Sequence, residues 1–441
     1  MTYHIEPDRG LLNDPNGLIW FKDKYYFFHQ WNRFDTNHQY KEWGVFTSAN
    51  MIHWNNQGSA ILPDRKLDRD GVYSGSSIEH DGEMYLFYTG NTKNNGERKS
   101  YQCISTSKNG QTFIKEERAI ETPPEFTEHH RDPKVWRGEN NWWMIVGAQT
   151  KEQKGAIALY SSCDLLHWKY ENILYDERLD NMCECPDLFS IDDETDILVC
   201  CPQVRPEQED DLTEVSSYAA FISGKFDEKA KKFLPKSSLQ LLDYGFDFYA
   251  PQSFFDPKGR RIMVGWMSRM SENEEYLCPT KQYGYLHCLT LPRVITRENG
   301  EIKQKPIEEV KQLRKREQRF TSSQGCFELE SGRFELELSR KDCTADFKLF
   351  LRNCAVEIHY CSKKNVFSVT RENWVTGKKE TKVKQVQSLS QMSIYSDNSS
   401  IEIFVNDGEC VFSLRYFTEE ENLSVKYVGL QQKGELLYFS F

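Results

Sequence analysis

Several absences narrow the class of this chain before any motif is considered. No run of about 18 apolar residues occurs, so no segment is expected to cross a bilayer as a helix. Positive charge is in deficit, with 56 Lys and Arg against 67 Asp and Glu and a formal net charge of −11. That balance argues against nucleic acid or an anionic membrane as partner, because both are recognised by concentrated cations. A small neutral or charged ligand fits better. The opening residues Met1-Thr2-Tyr3-His4-Ile5-Glu6-Pro7-Asp8 show neither the basic start nor the apolar core of a secretory signal. The 13 cysteines are odd in number and scattered, which reads as free buried thiols in a reducing compartment, so a cytoplasmic location is expected. His129-His130, Cys183-x-Cys185 and Cys200-Cys201 lack zinc-type spacing with a matching second half, so no metal is expected.

What the chain does contain is aromatic, strand-forming sequence: 13 % Phe, Tyr and Trp, with runs such as Tyr25-Tyr26-Phe27-Phe28 and Trp142-Trp143, favours an all-β fold. From residue 1 to about 295 a loose repeat recurs, in which a polar turn leads into an apolar strand, a Gly/Asp/Asn turn and a second, aromatic strand. Five copies begin at Asp14-Pro15, Ser74-Gly75-Ser76, Arg131-Asp132-Pro133, Glu184-Cys185-Pro186 and Ala250-Pro251-Gln252. A period of roughly 50 to 60 residues with several strands per unit is the mark of a propeller, here with five blades. The phrases Asn50-Met51-Ile52-His53-Trp54 and Asp164-Leu165-Leu166-His167-Trp168 hint at outer strands and space-filling between blades.

Beyond residue 295 the pattern changes. Pro306 to about Glu317 predicts a short helix, with Glu308 and Glu309 early and Ile307, Val310 and Leu313 on one face. Residues 296–325 are therefore expected to be a linker. Strict alternation from Phe327 and Phe334, and a hairpin around Asn406-Asp407-Gly408, predict a β-sandwich over 326–441 whose acidic positions face solvent.

In a propeller the residues heading the innermost strands converge on one funnel, and Asp14, Asp132 and Glu184 all take that place. Converging carboxylates repel one another and so point to chemistry. Cleavage of a glycosidic bond with retention needs an ionised nucleophile and a protonated acid roughly 5 to 5.5 Å apart. Asp14, in its Asp-Pro-Asn-Gly turn, suits the ionised role. Glu184, among Cys183, Cys185 and Pro186, suits the neutral acid, and Asp132 beside Arg131 is expected to stay charged.

Taken in order, Asn13-Asp14-Pro15-Asn16-Gly17, Arg131-Asp132-Pro133 and Glu184-Cys185-Pro186 resemble the three signature motifs of glycoside hydrolase family 32, the invertase and fructanase family. Tyr73-Ser74-Gly75-Ser76, Asp247 to Phe254, Leu289 to Arg293 and Ser400 to Gly408 agree, so the resemblance spans nearly the whole chain. It implies a five-bladed β-propeller followed by a C-terminal β-sandwich, and retaining hydrolysis of β-fructofuranosides without a cofactor. By motif position Asp14 would be the nucleophile, Asp132 the transition-state stabiliser and Glu184 the acid/base, with Asn13, Gln30, Trp43, Ser74, Arg131 and Tyr249 contacting the fructosyl unit. Leu11-Leu12, standing where secreted invertases usually carry a Trp, leans towards the intracellular sucrose-6-phosphate hydrolase branch. An exo-acting fructan hydrolase and a non-catalytic sugar-binding propeller are the alternatives. If the substrate is phosphorylated, Arg33, His38 and Lys41, just before Trp43, are the expected phosphate contacts.

Overall fold

The computed structural model describes residues 3–204, 217–341, 345–431 and 434–441. Five sheets, antiparallel but for one short strand, follow one another to Pro306. Their first strands are Gly10–Phe21, Val72–His80, Phe126–Arg137, Met182–Asp192 and Tyr249–Phe255. Each of these strands touches the next, and the fifth touches the first, closing a ring. Between every pair of neighbouring sheets lies one apolar cluster, for example Phe28, Trp43, Leu86 and Tyr88 between the first and second and Phe27, Phe254, Ile262 and Leu289 between the fifth and first. A blade buries its faces only against its neighbours, so the aromatic second strands supply the mortar of the ring. The short strand Tyr285–Leu286 pairs in parallel with Gly10 and Leu11, tying the end of the ring to its start.

Asn50 to Trp54 and Asp164 to Trp168, expected as outer strands, are instead tight turns leading into them. Asn50 and Asp164 side chains accept backbone N–H bonds from the residues two and three ahead, a local closure that competes with strand pairing. Trp54 and Trp168 do fill space, against Phe27 and Phe87.

The boundary region also differs from its expectation. Arg293–Glu298 and Glu301–Pro306 are the last two strands of the fifth sheet, not linker. The expected helix is a single 3-10 segment, Glu308–Leu313. It stops because Arg316–Phe320 is drawn into strand pairing with Glu435–Ser440, so only nine residues lie between two sheets. The sandwich itself is two six-stranded sheets around a core that includes Phe334, Phe347, Phe367, Phe412 and Tyr438. Ser400–Val405 and Cys410–Arg415 form the expected hairpin, with Asn406 and Asp407 at φ +48° and +58°. Its acidic positions are not all solvated, however. Glu335 and Glu402 are buried at 0 % exposure, because the outer face of this sheet is covered by the 3-10 segment and the propeller.

That junction is built from charge as well as apolar surface. Arg293 donates to Asp243 at 3.0 Å and to Glu402 at 2.6 Å, and His4 lies between Glu402 at 2.9 Å and Asp397 at 3.2 Å. Among the described residues no helix is long and apolar enough to cross a membrane, and the described cysteines are free thiols.

Candidate active site

The funnel is assembled by one device repeated in every blade. In the first sheet Leu12 pairs with Trp31 and Pro15 with His29, so Asn13 and Asp14 together face Gln30. Bulges one residue later relative to the proline place Asp132 and Pro133 opposite Val146, Cys185 and Pro186 opposite Cys200, and Ala250 and Pro251 opposite Gly265. In the second sheet Ser74 is the extra residue. Proline has no N–H to give to the ladder, and an extra residue bends the strand and re-aims its side chains. Asp132, Cys185 and Ala250 adopt φ of +69°, +44° and +48°, a strained choice before proline that clusters at functional sites. Asp14 thus lies in a bulge within a long strand, not in a turn at its mouth. Asn16 holds it from behind, donating to the Asp14 carbonyl at 3.1 Å and accepting from Gly75 N–H at 3.0 Å.

Counting from the prolines corrects the alignment of the carboxylates. Asp14 and Asp132 directly precede proline, whereas Glu184 stands one residue earlier, in register with Asn13, Arg131 and Tyr249. The contacts follow this register. Arg131 donates to Glu184 Oε1 through Nε at 3.0 Å and Nη2 at 2.7 Å, and Tyr249 OH donates to Oε2 at 2.7 Å. Asp14 accepts from Asn13 Nδ2 at 3.1 Å and from the Ser74 hydroxyl. Asp132 accepts the Cys185 N–H at 2.9 Å, and the Cys185 thiol lies 3.5 Å from Asp132 and 3.9 Å from Asp14. The three carboxylates therefore meet around Cys185, which sequence reasoning treated only as poorly solvating surroundings.

The electrostatics run against all three expectations. Burial pushes Asp14 up, and Glu184 nearby adds to this, while Ser74, Lys41 and Asn13 work against it. Burial also raises Asp132 to about 7, with Glu184 and Asp14 reinforcing it against Arg131. Glu184 is buried as well, yet the Arg131 guanidinium and the Tyr249 hydroxyl hold it below its ordinary value. Partners thus favour the charged form of Glu184, whereas burial disfavours charge on Asp14 and Asp132. The reason is geometric: Arg131 gives two bonds to the carboxylate on the next blade and none to its sequence neighbour Asp132.

Among the expected sugar contacts, Asn13, Gln30, Ser74, Arg131 and Tyr249 surround these carboxylates. Asn13 is itself oriented by Gln30 Oε1 at 2.5 Å and by Lys41 Nζ at 2.6 Å. Trp43 does not offer a sugar platform: it is 0 % exposed, packed against Phe28 and Tyr88, with its indole N–H on the Tyr73 carbonyl. The expected phosphate contacts are also engaged elsewhere. Arg33 donates to the Ser59 hydroxyl at 2.5 Å and faces Glu42 at 3.6 Å. Lys41 is buried on Asn13, and burial lowers it to about 8. His38 sits between Lys41 and Glu275.

Glu275 comes from the short helix Glu272–Tyr276, capped by Ser271, and also meets His287 at 2.7 Å. Among the described residues, His38, Glu275 and His287 are the group of three whose potential metal-ligand atoms gather, within 4.8 Å of one another. Hydrogen bonds already account for their spacing. Asn13, Lys41 and His38 were singled out by sequence, but their connection to Glu275 and His287 had no sequence signal, since those two come from a distant stretch.

Comparison with known proteins agrees with this geometry. Residues 4–306 match the N-terminal domain of glycosyl hydrolases family 32, and residues 298–436 match the C-terminal domain of the same family. The chain is 35 % identical to the sucrose-6-phosphate hydrolase of Bacillus subtilis (strain 168), over 94 % of this chain and 88 % of that protein. Identity to the sucrose-6-phosphate hydrolase of Salmonella typhimurium is also 35 %, with the same coverage. The solved structure of sucrose-6-phosphate hydrolase from Lactobacillus gasseri superposes with a TM-score of 0.89 at 28 % identity, covering 100 % of this chain and 93 % of that one. Bulged inner strands, converging carboxylates and a matched propeller and sandwich lead to one conclusion: the chain belongs to glycoside hydrolase family 32.

Proposed function

We infer that this enzyme hydrolyses terminal β-D-fructofuranosides with retention, acting on sucrose 6-phosphate, sucrose or both. The observation that carries the reading is the meeting of Asp14, Asp132 and Glu184 on three bulged inner strands, with Arg131 and Tyr249 on Glu184. Two carboxyl groups flanking the scissile bond are the minimum for retaining chemistry. Asp14 attacks the anomeric carbon as the bond to the leaving oxygen breaks, and Glu184 gives its proton to that oxygen. A covalent fructosyl ester on Asp14 results. Glu184, now charged, takes a proton from water, whose oxygen attacks the anomeric carbon and releases fructose and free Asp14. Asp132, near the reacting carbon in this scheme, stabilises the positive charge that develops in the ring.

Burial disfavours charge on Asp14 and Asp132 while Arg131 and Tyr249 favour it on Glu184, the reverse of what the first step needs, so substrate must shift the balance. Sugar hydroxyls donating to Asp14 and Asp132 favour their charged forms, and two adjacent anions then favour protonation of Glu184. No step requires a cofactor. Free thiols support a cytoplasmic location.

Product analysis on sucrose, sucrose 6-phosphate and inulin is the deciding experiment. Release of fructose with glucose or glucose 6-phosphate, the first-formed fructose being the β anomer by NMR, is expected. Preferential trimming of inulin would move the assignment to a fructan hydrolase. Inversion at the anomeric carbon would overturn the roles of Asp14 and Glu184.

A further inference from the structure

Next to Glu184 lies a cationic group with two guanidiniums to that one carboxylate. The inner strand of the third blade carries His129 two residues before Arg131, and the second blade brings Arg98, on Glu97–Ser107, against it. Arg98 Nη1 and Arg131 Nη1 lie 3.4 and 3.3 Å from the same atom, His129 Nδ1. Two guanidiniums thus share one imidazole nitrogen. Arg131 spends Nε and Nη2 on Glu184. Arg98, half-exposed, makes no ion pair among the described residues, and its guanidinium stands 5.9 Å from the centre of the Tyr73 ring. Its sequence neighbour Lys99 is paired, with Glu128 at 2.9 Å. Burial and the two arginines disfavour the protonated form of His129. Such a group has donors in excess of acceptors, and a second anion, beside Arg98, is what it lacks.

The reaction supplies the direction from which that anion comes. To be protonated by Glu184 the leaving oxygen must lie within hydrogen-bond reach of it, so the leaving sugar lies on the side where Arg131, His129 and Arg98 are gathered. We propose that Arg98, with His129, forms the receptor for the phosphate on the leaving sugar of sucrose 6-phosphate. The proposal rests on the assignment of Glu184 as acid. A phosphate dianion offers oxygens to both N–H groups of one guanidinium edge. It also compensates the charge crowded on His129, and Tyr73 gives the Arg98 guanidinium a face to lie against. Arg33, His38 and Lys41 cannot take this part in the arrangement described, because Glu42, Glu275 and Asn13 already occupy them.

The test is the ratio of kcat/KM for sucrose 6-phosphate to kcat/KM for sucrose, measured on single preparations so that any loss of folded protein cancels. Arg98→Ala is expected to lower the ratio at least 10-fold, mostly through KM for the phosphorylated sugar. Arg98→Glu is expected to lower it further, and Arg98→Lys to restore part of the loss. His129→Ala is expected to lower the ratio several-fold. In the unmodified enzyme glucose 6-phosphate should compete better than glucose. An unchanged ratio in Arg98→Ala, or a fall in Arg33→Ala instead, overturns the placement while leaving a phosphorylated substrate intact. Equal competition by glucose and glucose 6-phosphate overturns the phosphorylated substrate itself, and the receptor with it.

Discussion

At the junction of propeller and sandwich, Glu402 receives Arg293 through two nitrogens at 3.0 and 2.6 Å, the Leu291 N–H at 2.6 Å and His4 at 2.9 Å. In the funnel, by contrast, Asp132 receives one backbone N–H and a thiol. Both carboxylates are buried, yet partners hold Glu402 below its ordinary value despite burial, while burial drives Asp132 up to about 7. On the proposed function, the difference separates structural charge from working charge. A buried ion whose lone pairs are all satisfied contributes to a specific docking geometry. A buried ion left short of partners is ready to gain them from a substrate, or from the charge that grows in a transition state.

If that contrast is right, mutations in the two regions should divide cleanly between activity and stability. The largest effect is expected for Asp14→Asn: turnover should fall by at least about 10³-fold, because no covalent intermediate forms. Its melting temperature should hold or rise as repulsion in the funnel is relieved. Near-normal turnover would remove Asp14 from the chemistry. Arg293→Met should do the reverse. Leaving Asp243 and Glu402 buried without their cation should cost about 3–5 kcal/mol in denaturant unfolding, with activity per folded molecule largely kept. Loss of activity without loss of stability would break the comparison.

The next effect is one of pH. His4 is raised to about 9: burial opposes its charge, but Asp397 and Glu402 outweigh burial. The unfolded value is near 6.5, so the folded state binds the proton more tightly. Its contribution to stability is complete below about pH 6.5 and is lost as pH rises through 9. His4→Gln should flatten unfolding free energy across that window, and an unchanged slope would mean that His4 carries no charge there. Asp132 has the same sign for a different reason. Its raised value means that the folded state keeps a proton the unfolded chain releases near 3.8, so stability falls as pH climbs towards 7. The smallest effect is expected at Tyr249. Removing its hydroxyl in Tyr249→Phe takes away a bond that favours charged Glu184, so the basic limb of the kcat/KM profile should move to higher pH. A shift to lower pH would show that Tyr249 acts on another group.

The repeated aromatic strands and the ordered motifs were enough by themselves to point to five blades, a sandwich and the three carboxylates. Those features are local: a strand declares itself through its own alternation and composition, and a proline after Asp14 or Asp132 is visible in place. The bulges were legible only in part, since the prolines in or beside four of them can be counted along the chain but the residues facing them cannot, and the bulge at Ser74 has no proline. What the tertiary structure decided was pairing across blades. Arg131 adjoins Asp132 in sequence but serves Glu184, and Lys41 looked like a free loop cation but is buried on Asn13. Glu335 and Glu402 alternate like solvated strand residues, yet the connector and the propeller cover them. Arg98 carried no signal until the second blade set it against His129. A chain specifies which residues alternate and where they bend. Which charge neutralises which depends on the angle at which one blade meets the next, and with it the protonation of every carboxylate in the funnel.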